Sequence, residues 1–133
     1  MEKEKHVKYW LDSSEEDWLT AKEIAAKNER KYMALFLGHL SSEKLMKALY
    51  VKIFDQTPPY KHDLVLIAEK CSLELDDETV TDLKIINEFN IQARYPDYKN
   101  EFSKRSTAIF VNDELKRIER IREWIKSTIA NTQ

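Results

Sequence analysis

The chain has a single glycine, Gly38, and three prolines among 133 residues. That scarcity excludes glycine-rich loops that cradle phosphates and leaves little from which to build strand turns. Its one cysteine, Cys71, can form no internal disulfide and offers no zinc-binding spacing. The flanking Lys70 and Ser72 fit a half-buried structural thiol better than a reactive one. No apolar run is long enough to span a bilayer. The first residues, Met1-Glu2-Lys3-Glu4-Lys5, are charged and lead into no signal-peptide core, so a cytoplasmic location is expected. A net charge of −2 removes any global basic field for nucleic acid and leaves only local patches.

What remains is a helical composition. Hydrophobic residues make up 42% of the chain, enough for a packed interior, and charged residues 35%, a well-solvated surface. Abundant Lys, Glu, Leu, Ile and Ala, with so little Gly and Pro, point to an all-α fold. The length fits one domain spanning residues 1–133.

Periodicity places the helices. Trp10, Ser14, Trp18, Ala21 and Ala25 share one face of a first helix from about Lys5 to Asn28. Asn28-Glu29-Arg30-Lys31 is a polar break. A second helix runs from about Lys31 to Phe54, with Tyr32, Phe36, Leu40, Met46, Tyr50 and Ile53 on its apolar side. Pro58-Pro59 closes that segment, and Asp63 is a suitable N-cap for a short third helix carrying Leu64, Ile67 and Ala68. Asp76-Asp77-Glu78 supplies negative charge at the start of a fourth helix with Val80, Leu83, Ile86 and Ile91. From Arg94 to Phe110 the pattern is weak and reads as an ordered loop or a broken helix. A last helix from about Asn112 to Ala130 presents Leu115, Ile118, Ile121, Ile125 and Ile129. The expected architecture is an up-and-down four-helix bundle with one additional short helix.

Three polar groupings can carry chemistry. His39 and Glu43 stand one turn apart amid the apolar residues of the second helix. A carboxylate there needs a partner, and His39 or a residue of the Arg94 loop can supply it. The pair is either part of a polar pocket, a hydrogen-bonded device fixing helix register, or a face toward a dimer partner. Arg94-Tyr95-Pro96-Asp97 offers a forked guanidinium and a stacking ring, suited to phosphate or nucleotide; alternatively Arg94 pairs with Glu43 or Asp97 and ties the loop down. His62-Asp63 can orient a general base, or Asp63 is a cap with His62 exposed. No metal site is expected, because the Glu-x-x-His pattern of bundle metal sites is absent. The basic stretch from Lys116 to Arg122 reads as a solvated helix face with ion pairs.

Glu43-Lys44-x-x-Lys47-Ala48-Leu49, Lys61-His62-Asp63-Leu64 and Ala93-Arg94-Tyr95-Pro96-Asp97, in that order and spacing, resemble the HEPN domain (higher eukaryotes and prokaryotes nucleotide-binding). The resemblance runs from about Trp10 to Ile125. The family often has Gln and Ala before the Glu, where this chain has Gly38 to Ser42. The resemblance implies a helical bundle that forms homodimers. One branch of the family comprises ribonucleases marked by an Arg followed after about four to six residues by a His. That motif cannot be built here: Arg30 is the one arginine preceding any later histidine, and Leu35, Phe36 and Leu37 stand at the required spacing. Another branch accompanies minimal nucleotidyltransferases, whose own Gly-Ser turn and Asp-x-Asp pair this chain lacks. The resemblance therefore implies an accessory, toxin–antitoxin-like role, binding a nucleotide, a partner nucleotidyltransferase, or both. Arg94, Tyr95, Glu43, Lys47 and His39 are the candidate nucleotide- or phosphate-binding residues, with no catalytic residue and no cofactor assigned. The enzyme alternative is a ribonuclease using Arg94, Tyr98 and His39; a third is a purely structural dimer in which Arg94 and Glu43 bond to each other.

Overall fold

The computed structural model describes residues 2–133, which form six helices and, among the described residues, no strand. The helices are α1 (Glu2–Ala25), α2 (Tyr32–Phe54), α3 (Leu64–Lys70), α4 (Asp77–Arg94), α5 (Pro96–Arg105) and α6 (Ala108–Ala130). The all-α expectation holds, and the ends have local causes. Asp55 closes α2 in the left-handed region at φ 52°, its amide bonded to Val51 O at 2.8 Å, so the helix stops before the prolines are reached. Asp63, Asp76 and Thr107 cap α3, α4 and α6 by accepting backbone N–H bonds. The Thr107 cap starts α6 at Ala108, earlier than the Asn112 expected from periodicity.

The weakly patterned segment after Arg94 forms α5, a ten-residue helix. One apolar anchor suffices to dock it: Phe102 is buried against Tyr32 and Phe89, with ring centroids 6.0 and 5.9 Å away.

The second helix is the hub. It packs against α1, α3, α4 and α6. Periodicity gave it a single apolar side, yet Phe36, Leu40 and Tyr50 are only half-buried and Ile53 is exposed. Ala34, Leu35, Leu45, Ala48, Leu49 and Val51 are fully or almost fully buried instead. A helix surrounded by neighbours has no polar face to reveal its phase. At Gly38 it lies so close to α6 that a Cβ would sit 2.5 Å from Ile118 Cδ1. Being buried on most sides, α2 must also bury its polar residues, and these build the site.

Candidate functional site

On α2, His39, Glu43 and Lys47 follow one another at one-turn intervals, and all three are buried. Lys47 Nζ donates to Glu43 Oε2 at 2.9 Å and lies 5.4 Å from the centre of the Trp10 ring on α1. The other carboxylate oxygen, Oε1, is 2.8 Å from His62 Nδ1. Glu43 thus has its partner, as a buried carboxylate requires, but the partners are Lys47 and His62 rather than His39 or the Arg94 loop.

His62 lies in the turn before α3, and α4 fixes that turn in place. Asp63 Oδ1 accepts from the amides of Val65 (3.0 Å) and Leu66 (3.4 Å) and from Asn87 Nδ2 (2.9 Å). Asn87 Oδ1 in turn accepts from Leu64 N at 3.0 Å. Beneath the turn, His39 Nε2 is 3.0 Å from the His62 carbonyl and His39 Nδ1 is 3.2 Å from Asn90 Nδ2. A carbonyl only accepts, so Nε2 carries the proton and Nδ1 accepts from Asn90. Burial lowers the His39 pKa, an effect that the nearby Glu43 charge offsets only in part, and this favours the neutral ring that these bonds require. Asn90 Oδ1 accepts from the Arg94 guanidinium at 3.3 Å.

Above this network lies a cleft of about 470 Å3. The turn contributes His62 and Asp63 to it. The rest comes from one face of α4 and the residue after it: Lys84, Asn87, Ile91, Arg94 and Tyr95 among them. Ile91 and Tyr95 are exposed on its wall. The His62 side chain is half exposed and, with Nδ1 held by Glu43, keeps Nε2 free of any protein partner among the described residues.

Of the five residues singled out in the sequence, Arg94 and Tyr95 line the cleft. His39, Glu43 and Lys47 do not; they are buried and their polar atoms are already bonded within the protein, so they support the cleft from below. Arg94 bonds neither Glu43 nor Asp97, which removes the tie expected for a purely structural loop. Asn87, Asn90 and the role of His62 toward Glu43 were not foreseen. Asparagines on a helix carry no periodic signal, although Asn90 does stand one turn before Arg94.

A second buried polar network lies elsewhere on α2, toward α1 and α6. Ser14 Oγ donates to Ser41 O at 2.7 Å, and Ser41 Oγ returns a bond to Ser14 O at 3.0 Å. Arg122 Nε donates to Ser41 Oγ at 2.7 Å, and its NH2 group reaches Glu15 at 3.2 Å. Its guanidinium lies 4.9 Å from the centre of the Trp18 ring. Arg122 is 2% exposed and departs from the solvated face read for its basic stretch, whereas Lys116, Glu119 and Arg120 are exposed as expected. Burial lowers its pKa, and the Glu15 bond raises it in part. Arg117, from the same stretch, pairs with Glu114 and Asp82.

The fold and site together define an all-helical protein with a cleft, part apolar wall and part charged and polar groups, mounted on a buried hydrogen-bonded network. A family model of the HEPN domain matches residues 7–128, nearly the whole chain, and the chain belongs to the HEPN-domain family. No curated protein and no solved structure matches it. Among the described residues, no helix is long and apolar enough to cross a membrane.

Proposed function

We propose that this protein is an accessory HEPN protein that binds a nucleotide in the cleft between α4 and the His62–Asp63 turn. One observation carries the reading: Arg94, Tyr95 and His62 converge on that cleft, with Arg94 and His62 held from below by buried residues. The guanidinium takes a phosphate in a fork, with Lys84 as a second cation. Tyr95 and Ile91 offer an exposed apolar wall for a base. The volume falls within the range of small-molecule sites.

The family resemblance supports the wider role: a cytoplasmic homodimer built on an up-and-down bundle, working with a minimal nucleotidyltransferase in a toxin–antitoxin-like pair. Calorimetric titration with AMP, ATP and GTP tests the binding. Saturable binding of at least one by the wild type, lost in Arg94→Ala, is the expected result; no binding of any would remove the nucleotide. Co-purification with mass spectrometry tests the partner, and recovery of no nucleotidyltransferase would count against it.

His62 favours a second reading, a ribonuclease with an unusual active site. His39 cannot serve there, because both its ring nitrogens are engaged, and Tyr98 lies outside the cleft lining. His62, oriented by Glu43 through Nδ1, presents Nε2 to the cleft that holds Arg94. In that role Nε2 takes the proton of a ribose 2′-hydroxyl as that oxygen bonds to the adjacent phosphorus, the P–O5′ bond breaks with the leaving oxygen taking a proton from solvent, and Arg94 balances the charge developing on the phosphate. RNA cleavage by the wild type, lost in both His62→Ala and Arg94→Ala, would establish it; intact RNA leaves binding as the function.

A further inference from the structure

Asn90 is 6% exposed, yet among the described residues it is the one hydrogen-bonded to both the buried histidine and the cleft arginine. We infer that Asn90 is the positioning residue of the cleft, fixing the direction in which Arg94 presents its guanidinium to a phosphate. The inference deepens the nucleotide-binding reading and rests on it.

The direction of every bond in the relay is determined. The His62 carbonyl accepts from His39 Nε2–H, so Nδ1 has only a lone pair to offer. The Asn90 end that faces it must be the amide nitrogen, which donates. The carbonyl end, Oδ1, is then turned toward Arg94, whose guanidinium has only donors. Reversing the amide would set NH2 against guanidinium and carbonyl against a lone pair, and both contacts would repel. The buried half of the relay therefore selects one orientation of Asn90, and that orientation tethers one guanidinium nitrogen. The tether uses one of five N–H donors and leaves the rest for a forked contact. An arginine already held spends less side-chain freedom on capturing a phosphate. Neither side of the cleft supplies a competing carboxylate bond to Arg94 among the described residues, so the tether is Asn90 alone.

A structural role would lower stability without changing ligand preference; a positioning role changes the preference for a phosphate-bearing ligand over its phosphate-free form. The test compares AMP with adenosine by calorimetry on the wild type, Asn90→Leu, His39→Leu and His39→Gln. The AMP-over-adenosine preference should fall by about tenfold in Asn90→Leu, the value of one hydrogen bond to a charged group. His39→Leu should show the same direction of change. His39→Gln should keep the preference, because a glutamine amide can donate to the His62 carbonyl and accept from Asn90. Nitrogen-15 spectra of the unliganded wild type give a reading that needs no variant to fold: the Nε2–H tautomer of His39 is expected, and the Nδ1–H tautomer would overturn the relay. An unchanged preference in folded Asn90→Leu would overturn the inference while nucleotide binding stands. Failure of the wild type to bind AMP at all would remove both.

Discussion

The two buried polar networks on α2 differ in how they end. The one built on Ser41 is closed toward the clefts: Ser14 and Arg122 bond Ser41, Trp18 covers the guanidinium, and the chain of bonds ends at Glu15, a half-exposed carboxylate that lines none of the clefts described. The one built on His39 and Glu43 is open: it runs through Asn90 to Arg94 and through His62 to a half-exposed imidazole, and both ends reach the same cleft. Each satisfies a polar group that burial would otherwise penalise. A closed network explains only stability and register. An open network spends the same bonds on fixing groups that still have donors and a lone pair to give a ligand. Burial and hydrogen bonding alone therefore do not distinguish a site from a structural cluster; the destination of the last bond does.

Substitutions can break that contrast. The largest effect is expected from Glu43→Leu, which leaves the Lys47 ammonium buried without its carboxylate and should cost about 3 kcal/mol by chemical denaturation. Lys47→Met should cost less, since Glu43 keeps His62, and the double variant should recover part of the loss. Strict additivity would show that the pair is not coupled. In the closed network, Ser41→Ala strips Arg122 Nε of its acceptor and should cost about 2 kcal/mol while leaving nucleotide affinity unchanged. An affinity loss there would erase the distinction between the networks.

A smaller effect belongs to Gly38→Ala, where α2 meets α6. The new methyl collides with Ile118 Cδ1, and the overpacking, reduced by the better helix propensity of alanine, leaves a net cost of about 1 kcal/mol. Adding Ile118→Val removes the colliding atom and should relieve it; no relief would mean that the clash is taken up elsewhere.

The smallest effect is a pH dependence. Burial holds the His39 pKa below its ordinary 6.5, so the unfolded chain binds a proton more readily than the folded one. The neutral ring contributes fully above pH 6.5, and that contribution is lost as pH falls from there through the lower folded value. Thermal midpoints of the wild type should fall more steeply over that interval than those of His39→Gln; parallel curves would contradict a neutral, buried His39.

Much of this was legible in the sequence, and the gaps have physical causes. The Asp63 cap, the need of Glu43 for a partner and the ordered set of three motifs were visible, because capping residues and carboxylates on apolar faces are local signals. The identity of that partner was not, since the Glu43–His62 bond spans nineteen positions in the chain and depends on how the turn folds back. Arg122 looked solvated because its neighbours in sequence are charged, while in space it faces Ser41 and Trp18. The phase of α2 misled because apolar residues surround it, and α5 lacked a pattern because a single phenylalanine docks it.

The most direct test of the cleft is a residue-by-residue map of nitrogen-15 amide and side-chain shifts while AMP is added to the wild type. Saturable changes concentrated at His62, Asp63, Asn87, Asn90, Arg94 and Tyr95, with Ser14, Ser41 and Arg122 unmoved, are the predicted result. Changes centred on the Arg122 side, or none at any concentration, would contradict it.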